Sequence, residues 1–327
     1  MAEPQTFLEA ILVRVAGFCA GQKMKTLAVC RGAAASRMVR SVANLEIQAI
    51  VDILDLSENT TATSLNVDPS YRAVLIGADN STTMLKVLAL CGNYKTANIP
   101  VLAVDGWPVP IDARHFAAEA KVSGEISVPG MFDVAAGYCR HGVTGDIFEF
   151  GTFQGFTLQC AYHAFNHRGN LGTRRFIAFD SFAGIIGTKK GEGFFDGAFA
   201  ASEASFRFAN FLAQVPDDRV VVIKGPYSET LRDREKDTRA ALGPTSAAIV
   251  HIDCDVEEPA KMALDFVTPY AKQGTLLMFD EYDMQCADNS KGERAALRAW
   301  LQENPTFEVE PYRAYHLGAR SFILHKR

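Results

Sequence analysis

This 327-residue chain has no long apolar run, no basic excess and no cysteine framework, and each absence removes a class of function. Nothing in it approaches the roughly 20 consecutive apolar residues of a membrane span. Its 33 lysines and arginines against 38 aspartates and glutamates leave a formal net charge of -5, the wrong sign for a nucleic-acid footprint. The basic cluster Arg168, Arg174 and Arg175 reads as a solvated loop. The 7 cysteines are scattered, odd in number and free of any Cys-x-x-Cys pair, which argues against a disulfide scaffold or zinc knuckle and fits a reducing cytoplasm. Solenoid-length repeats and low-complexity tails are missing too. What is present is ordinary globular material, 48% hydrophobic and 22% charged, enough for two domains.

Near the N-terminus, Phe7, Leu8, Ile11, Leu12, Val15 and Phe18 recur at helical spacing while Glu9 and Arg14 interrupt the run. This predicts an amphipathic helix rather than a secretory leader, with exposed apolar faces that point to a homo-oligomer. Strands are expected at 26–30, 47–53, 73–76 and 101–104, with glycine turns and helices between them, giving a smaller parallel α/β, Rossmann-like domain over residues 1–121. Its first turn, Arg31-Gly32-Ala33-Ala34-Ala35-Ser36, lacks the three-glycine dinucleotide fingerprint, so its role is read as structural or substrate docking. Pro108 and Pro110 break the pattern before a helix over 112–121, and Ser123-Gly124-Glu125 with Pro129-Gly130 marks a hinge. The second domain spans 122–327. A helix over 131–141 is followed by strands ending at Phe150, Phe179, Ile223, Ile252 and Phe279, and a hairpin of 307–311 with 320–325 closes the chain.

Each strand of this second domain delivers its polar residues at its C-terminal end, where open parallel sheets bind ligands. The first enters a glycine turn, Glu149-Phe150-Gly151-Thr152-Phe153-Gln154-Gly155, of the kind that holds nucleotide-like ligands. Asp180, one crossover helix later, stands where a carboxylate would accept both ribose hydroxyls; capping of the following turn is the plainer alternative. The densest signal is His251-Ile252-Asp253-Cys254-Asp255 beside Phe279-Asp280-Glu281-Tyr282-Asp283. Carboxylates this crowded raise one another's pKa unless a cation neutralises them, and an all-oxygen set favours magnesium over manganese or calcium. Asp253, Asp280 and Glu281 are the expected ligands, and Asp255, on the same side of an extended segment as Asp253, is the expected general base. Simple helix capping by Asp255 is the alternative. Cys254 reads as a small packed side chain, and His163 with His167 as a solvent-facing pair.

In this order the motifs resemble class I S-adenosylmethionine-dependent methyltransferases, and within them the macrocin O-methyltransferase family of sugar enzymes. The resemblance rests on Asp146-Ile147-Phe148-Glu149-Phe150-Gly151 with Gly155, on Phe179-Asp180-Ser181-Phe182-Ala183-Gly184, and on Lys224-Gly225-Pro226-Tyr227-Ser228-Glu229-Thr230-Leu231. The motifs of Asp253 and Asp280 complete it. It implies a Rossmann-like sheet ending in an antiparallel hairpin. It also implies a cofactor site of Glu149, Gly151, Thr152, Phe153, Gly155, Asp180, Ser181, Gly225 and Asp253, with magnesium on Asp253, Asp280 and Glu281 and Asp255 as base. The implied reaction is methyl transfer to a hydroxyl of a sugar or glycosylated small molecule. A catechol-like phenol, walled by Phe195, Tyr227 or Tyr282, is a rival acceptor, and a non-catalytic cofactor-binding scaffold a rival role. Three departures stand out: Asp280-Glu281-Tyr282 replaces the family's Asp-Asp-Tyr, Val256-Glu257-Glu258-Pro259 replaces a tyrosine-rich continuation, and the extra N-terminal Rossmann-like domain lies outside the core family pattern. Residues 184–202, rich in glycine and phenylalanine, are long enough for a lid.

Overall fold

The structure, a computed structural model, describes residues 7–20, 24–56, 64–105, 126–188 and 194–327. Pro108, Pro110, the helix expected over 112–121, Ser123-Gly124-Glu125, and Lys189 and Lys190 of the expected lid lie outside the described residues. The chain groups into two compact units, Met1–Ile111 with Ala201–Gln214, and Asp112–Ala200 with Val215–Arg327.

The first unit is built on a parallel sheet of β1 (Lys25–Cys30), β2 (Val51–Asp55), β3 (Tyr71–Gly77) and β4 (Val101–Asp105), in the order β2-β1-β3-β4. The strand expected over 47–53 starts later because Ile47 to Ile50 close a turn, with Ile50 N donating to Ile47 O at 2.9 Å. The N-terminal helix Phe7–Ala20 buries Leu8, Ile11, Leu12, Val15 and Cys19 in one cluster with strand residues and with Phe208, Ala209 and Leu212 of the helix Glu203–Leu212. These residues of its apolar face are therefore internal rather than exposed as expected. The partner residues come from about 200 positions away, which no local pattern reveals. Two hydrogen bonds fix that distant helix: Val101 N donates to Ser205 Oγ at 2.9 Å, and Arg14 Nη1 to Leu212 O at 2.6 Å. In this unit the N-terminus of the helix Ala33–Asn44 is occupied by the Asp79 carboxylate, which accepts from Ala33 N and Ala34 N.

The second unit carries a seven-stranded sheet: β5 (Asp146–Phe150), β6 (Phe176–Asp180), β7 (Val220–Lys224), β8 (Ala247–Ile252), β9 (Leu276–Phe279), β10 (Phe307–Tyr315) and β11 (Ala319–Lys326). The order is β10-β11-β9-β8-β5-β6-β7, parallel through β9 and antiparallel for β11 and β10, as expected of the terminal hairpin. Strand alternation sends Phe148, Phe150, Ile177, Phe179, Val250, Ile252, Leu277 and Phe279 into one core with residues of the helices Glu257–Val267 and Gly292–Glu303. Glu149 and His251, paired across β5 and β8, face the other side, towards the helices Val128–Cys139 and Phe156–His167.

Two surface readings are corrected here. Arg174 is buried and donates to the carbonyls of Gly145 and Val143, while Arg175 binds Asp146 Oδ2 at 2.7 and 2.9 Å, so both tie down the entry of β5 rather than decorate a loop. Unpaired carbonyls at that buried edge need donors, and a guanidinium supplies several. His163 is likewise buried, edge-on to Tyr162, and only His167 of the pair is exposed. All seven cysteines are free thiols, and Cys254 is buried as expected. Among the described residues no helix is long and apolar enough to cross a membrane.

Candidate active site

The glycine turn is held from two directions. Gly151 adopts φ +86, and a Cβ added there would lie 1.8 Å from the backbone carbonyl oxygen of Asp253. Only glycine allows both the left-handed conformation and that close approach. On the other side, Asp180 Oδ2 accepts from Thr152 N and Phe153 N, each at 2.8 Å, and Oδ1 accepts from Phe182 N at 2.6 Å. The carboxylate thus ties the turn to the end of β6. Burial pushes its pKa up, and those amides pull it back. Gly225 N donates to Asp180 O at 2.9 Å, and Ser181 Oγ closes the next turn onto Gly184 O. Gly151, Thr152, Phe153, Asp180, Ser181, Gly225 and Asp253 therefore gather at one end of the sheet. Gly155, at φ +84, starts the helix Phe156–His167.

Beyond the ends of β8 and β9, Asp253, Asp280 and Glu281 each offer a carboxylate oxygen, the three within 4.8 Å of one another. Asp280 Oδ1 and Glu281 Oε2 are enclosed and have no hydrogen-bond partner. Burial, and after it the charge of Asp280, pushes Asp253 and Glu281 well above the ordinary carboxylate range. Orphaned oxygens and mutually opposed charges are what a hard divalent cation would relieve, so the donor set fits one.

Asp255 is buried at φ +63, and Val256 N donates across it to Cys254 O at 2.7 Å, a tight and strained three-residue turn. It does not cap the next helix. The cap residue of Glu257–Val267 is Val256 and accepts no side-chain bond, so the capping alternative is excluded. Burial first, then Asp280 and Asp180, raise Asp255 to about 7. Glu149 lies below the turn, with Oε1 accepting from Thr157 Oγ1 at 2.8 Å and Oε2 enclosed without a partner. Its pKa is raised to about 8 by burial.

Two residues here carried no assigned role in the sequence reading. His251 is fully buried beside Glu149 in the sheet, neither ring nitrogen has a partner, and burial lowers its pKa to about 4. The available signal was a histidine interrupting an apolar strand. Glu293 is also fully buried, with Oε1 accepting from Cys254 N at 3.2 Å and Oε2 from Glu281 N at 3.0 Å. In sequence it looks like an ordinary first-turn helix acid.

The described part of residues 184–202 folds back on itself, with Ile185 N donating to Ala198 O and Gly197 N to Ile185 O, both at 2.9 Å. Ile185 and Ala198 pack with Val256, and Phe199 meets Phe153 edge-on. Of the aromatic walls expected for a phenol, Tyr227 and Tyr282 pack on the core and Phe195 alone is largely exposed, at 62%.

Residues 148–282 match the family described as a methyltransferase domain. Among solved structures, the calicheamicin methyltransferase CalS11 is similar at 21% identity and TM-score 0.48, over 60% of this chain and 77% of that one. The O-methyltransferase NovP is similar at 17% identity and TM-score 0.49, over 61% and 79%. An O-methyltransferase from Bacillus cereus in complex with SAH is similar at 16% identity and TM-score 0.40, over 64% and 86%. These are likenesses of fold and say nothing of the reaction. No curated protein matches the chain significantly.

Proposed function

We propose that the chain, whose residues 148–282 match the methyltransferase-domain family, is a cation-dependent O-methyltransferase using S-adenosylmethionine. Its proposed acceptor is one of a vicinal pair of hydroxyls on a sugar or glycosylated small molecule. The observation that carries this reading is the double position of Asp253. Its carbonyl lies against Gly151 of the turn, and its carboxylate belongs to the acidic group with Asp280 and Glu281. Cofactor cradle and acidic group therefore meet at one residue.

In this reading Glu149, Gly151, Thr152, Phe153, Gly155, Asp180, Ser181, Gly225 and Asp253 form the cofactor site. The missing Cβ of Gly151 lets the turn lie against the Asp253 carbonyl, and the unpartnered Oε2 of Glu149 offers an acceptor. S-adenosylmethionine, when bound, supplies an electrophilic methyl group on a sulfonium. Asp253, Asp280 and Glu281 would hold magnesium or another hard dication, which neutralises them and acidifies a hydroxyl it touches. Asp255, buried two residues from Asp253, would take the acceptor's hydroxyl proton onto its carboxylate. Its strained turn fixes where that carboxylate points. The 184–202 segment, packed against Phe153 and Val256, is read as the cover that keeps water out.

The test is methyl transfer from S-adenosylmethionine to acceptors with and without vicinal hydroxyls. Asp253→Asn, or a strong chelator, is expected to abolish transfer while leaving cofactor-product binding largely intact. Full turnover in chelator refutes the cation role. Failure to bind S-adenosylmethionine at about 1 mM, the upper end of ordinary substrate affinities, refutes the methyltransferase reading and the cofactor-binding scaffold with it.

A further inference from the structure

Between the ends of β8 and β9 the sheet no longer holds the acidic residues in register. Ladder pairing stops at Ile252 and Phe279, and one further backbone bond, Asp280 N to Ile252 O at 3.1 Å, follows it. Past that point the two strand ends are joined by Glu293. One of its oxygens accepts from the amide that follows Asp253, and the other from the amide between Asp280 and Glu281. A single rigid carboxylate therefore spans the two chain segments that bear all three proposed ligands.

The cost of this arrangement shows that it is not a surface accident. Glu293 lies in the first turn of the helix Gly292–Glu303, where an acid ordinarily sits in water and still interacts with the helix dipole. Here it is fully buried, beside other acids whose charges oppose its own. The helix start is arranged to deliver it: Gly292 takes φ +56, and Lys291, the cap residue, supplies no side-chain cap.

We infer that Glu293 is a positioning residue for the cation site, setting the separation of Asp253 from Asp280 and Glu281 through their backbone amides. The inference rests on the cation reading above. It also gives a reason why glutamate is tolerated at position 281. The longer arm of Glu281 adds a rotatable bond at the ligand, and the clamp on its amide removes freedom at the backbone. A carboxylate is required because both partners are donors. Glutamine has the same shape but one acceptor oxygen, so its NH2 must face an N–H.

The test measures manganese binding alone, by titration calorimetry on the full chain, beside binding of S-adenosylhomocysteine without metal. Glu293→Gln is expected to weaken manganese roughly 10- to 100-fold, the usual effect of losing a group that orients metal ligands. Cofactor-product affinity should stay unchanged. Glu293→Asp, which keeps two acceptor oxygens on a shorter arm, should recover part of the loss. A purely structural role would lower the melting temperature and weaken both ligands together, and that result overturns the inference. So does manganese affinity in Glu293→Gln equal to that of the unaltered protein. If Glu293→Gln does not fold, amide exchange in the unaltered protein decides: slow exchange at Cys254 and Glu281 supports the clamp, and solvent-like exchange refutes it. Absence of manganese binding in the unaltered protein overturns the cation reading and this inference with it. Tight binding that ignores Glu293 overturns this inference alone.

Discussion

Gly151→Ala tests the contact on which the site is built. Two separate penalties apply. An alanine at φ +86 is left-handed, which costs about 1–2 kcal/mol. Its methyl group would also start 1.8 Å from the carbonyl oxygen of Asp253, and the pair must separate to at least 3.0 Å. That carbonyl is backbone at the end of a central strand and cannot swing aside as a side chain would. Forcing such an overlap adds about 1–3 kcal/mol. The two together come to about 2–5 kcal/mol, and at roughly 2–4 °C per kcal/mol for a domain of this size, melting should fall by roughly 4–20 °C. Displacing Asp253 by about 1 Å should also cost about 100-fold in turnover. Gly169→Ala is the control: Gly169 is left-handed too, at φ +62, but has nothing within 4 Å of an added Cβ. It carries the conformational penalty without the overlap. Differential scanning calorimetry and S-adenosylhomocysteine titration on both variants separate the two effects. If Gly151→Ala behaves like Gly169→Ala in both, the approach of turn to carbonyl has no energetic consequence.

Asp180→Ala should weaken S-adenosylhomocysteine by more than about tenfold and lower the melting temperature, since it frees three amides held at 2.6–2.8 Å as well as any ribose contact; an unchanged dissociation constant by calorimetry removes its cofactor role. Glu149 predicts the sign of a pH effect in metal-free protein. Its pKa rises from 4.5 to about 8 on folding, so the folded state holds a proton that the unfolded chain has released, and stability falls as pH climbs through that window. The slope from this one group approaches about 1.4 kcal/mol per pH unit. Urea unfolding of Glu149→Gln should show a flatter dependence between about pH 5 and about pH 8. An unchanged slope would mean Glu149 is not the group responsible.

The strand ends were legible because apolar runs that stop at acids and glycines encode both the sheet and the edge where ligands bind. Thus Glu149 and Asp180 could be placed on β5 and β6, and Asp253 and Asp280 just past the ends of β8 and β9, from pattern alone. What pattern does not encode is where backbone donors point. Asp180 reads as an acid awaiting a hydroxyl, whereas its oxygens already accept amides from the turn. Glu293 is hidden for a related reason. Its partners are amides of Cys254 and Glu281, 39 and 12 residues away, and an amide leaves no trace in side-chain identity. Arg174 and His163 were misjudged because charge and polarity suggest exposure, while buried carbonyls and a close-packed helix took them in.

The helix Glu203–Leu212 bears on how this protein can be taken apart. It follows β5 and β6 of the second unit in sequence, yet Phe208, Ala209 and Leu212 complete the hydrophobic cluster of the N-terminal unit. The chain passes between units three times rather than once. The N-terminal unit is thus not a detachable cassette. A fragment that began after the first unit's strands would carry an orphaned apolar stripe into solvent, and a fragment that stopped there would lack one wall of its own core. Moving the second unit onto another partner would have to bring that helix's binding face with it, so one cut in the chain cannot exchange the two units.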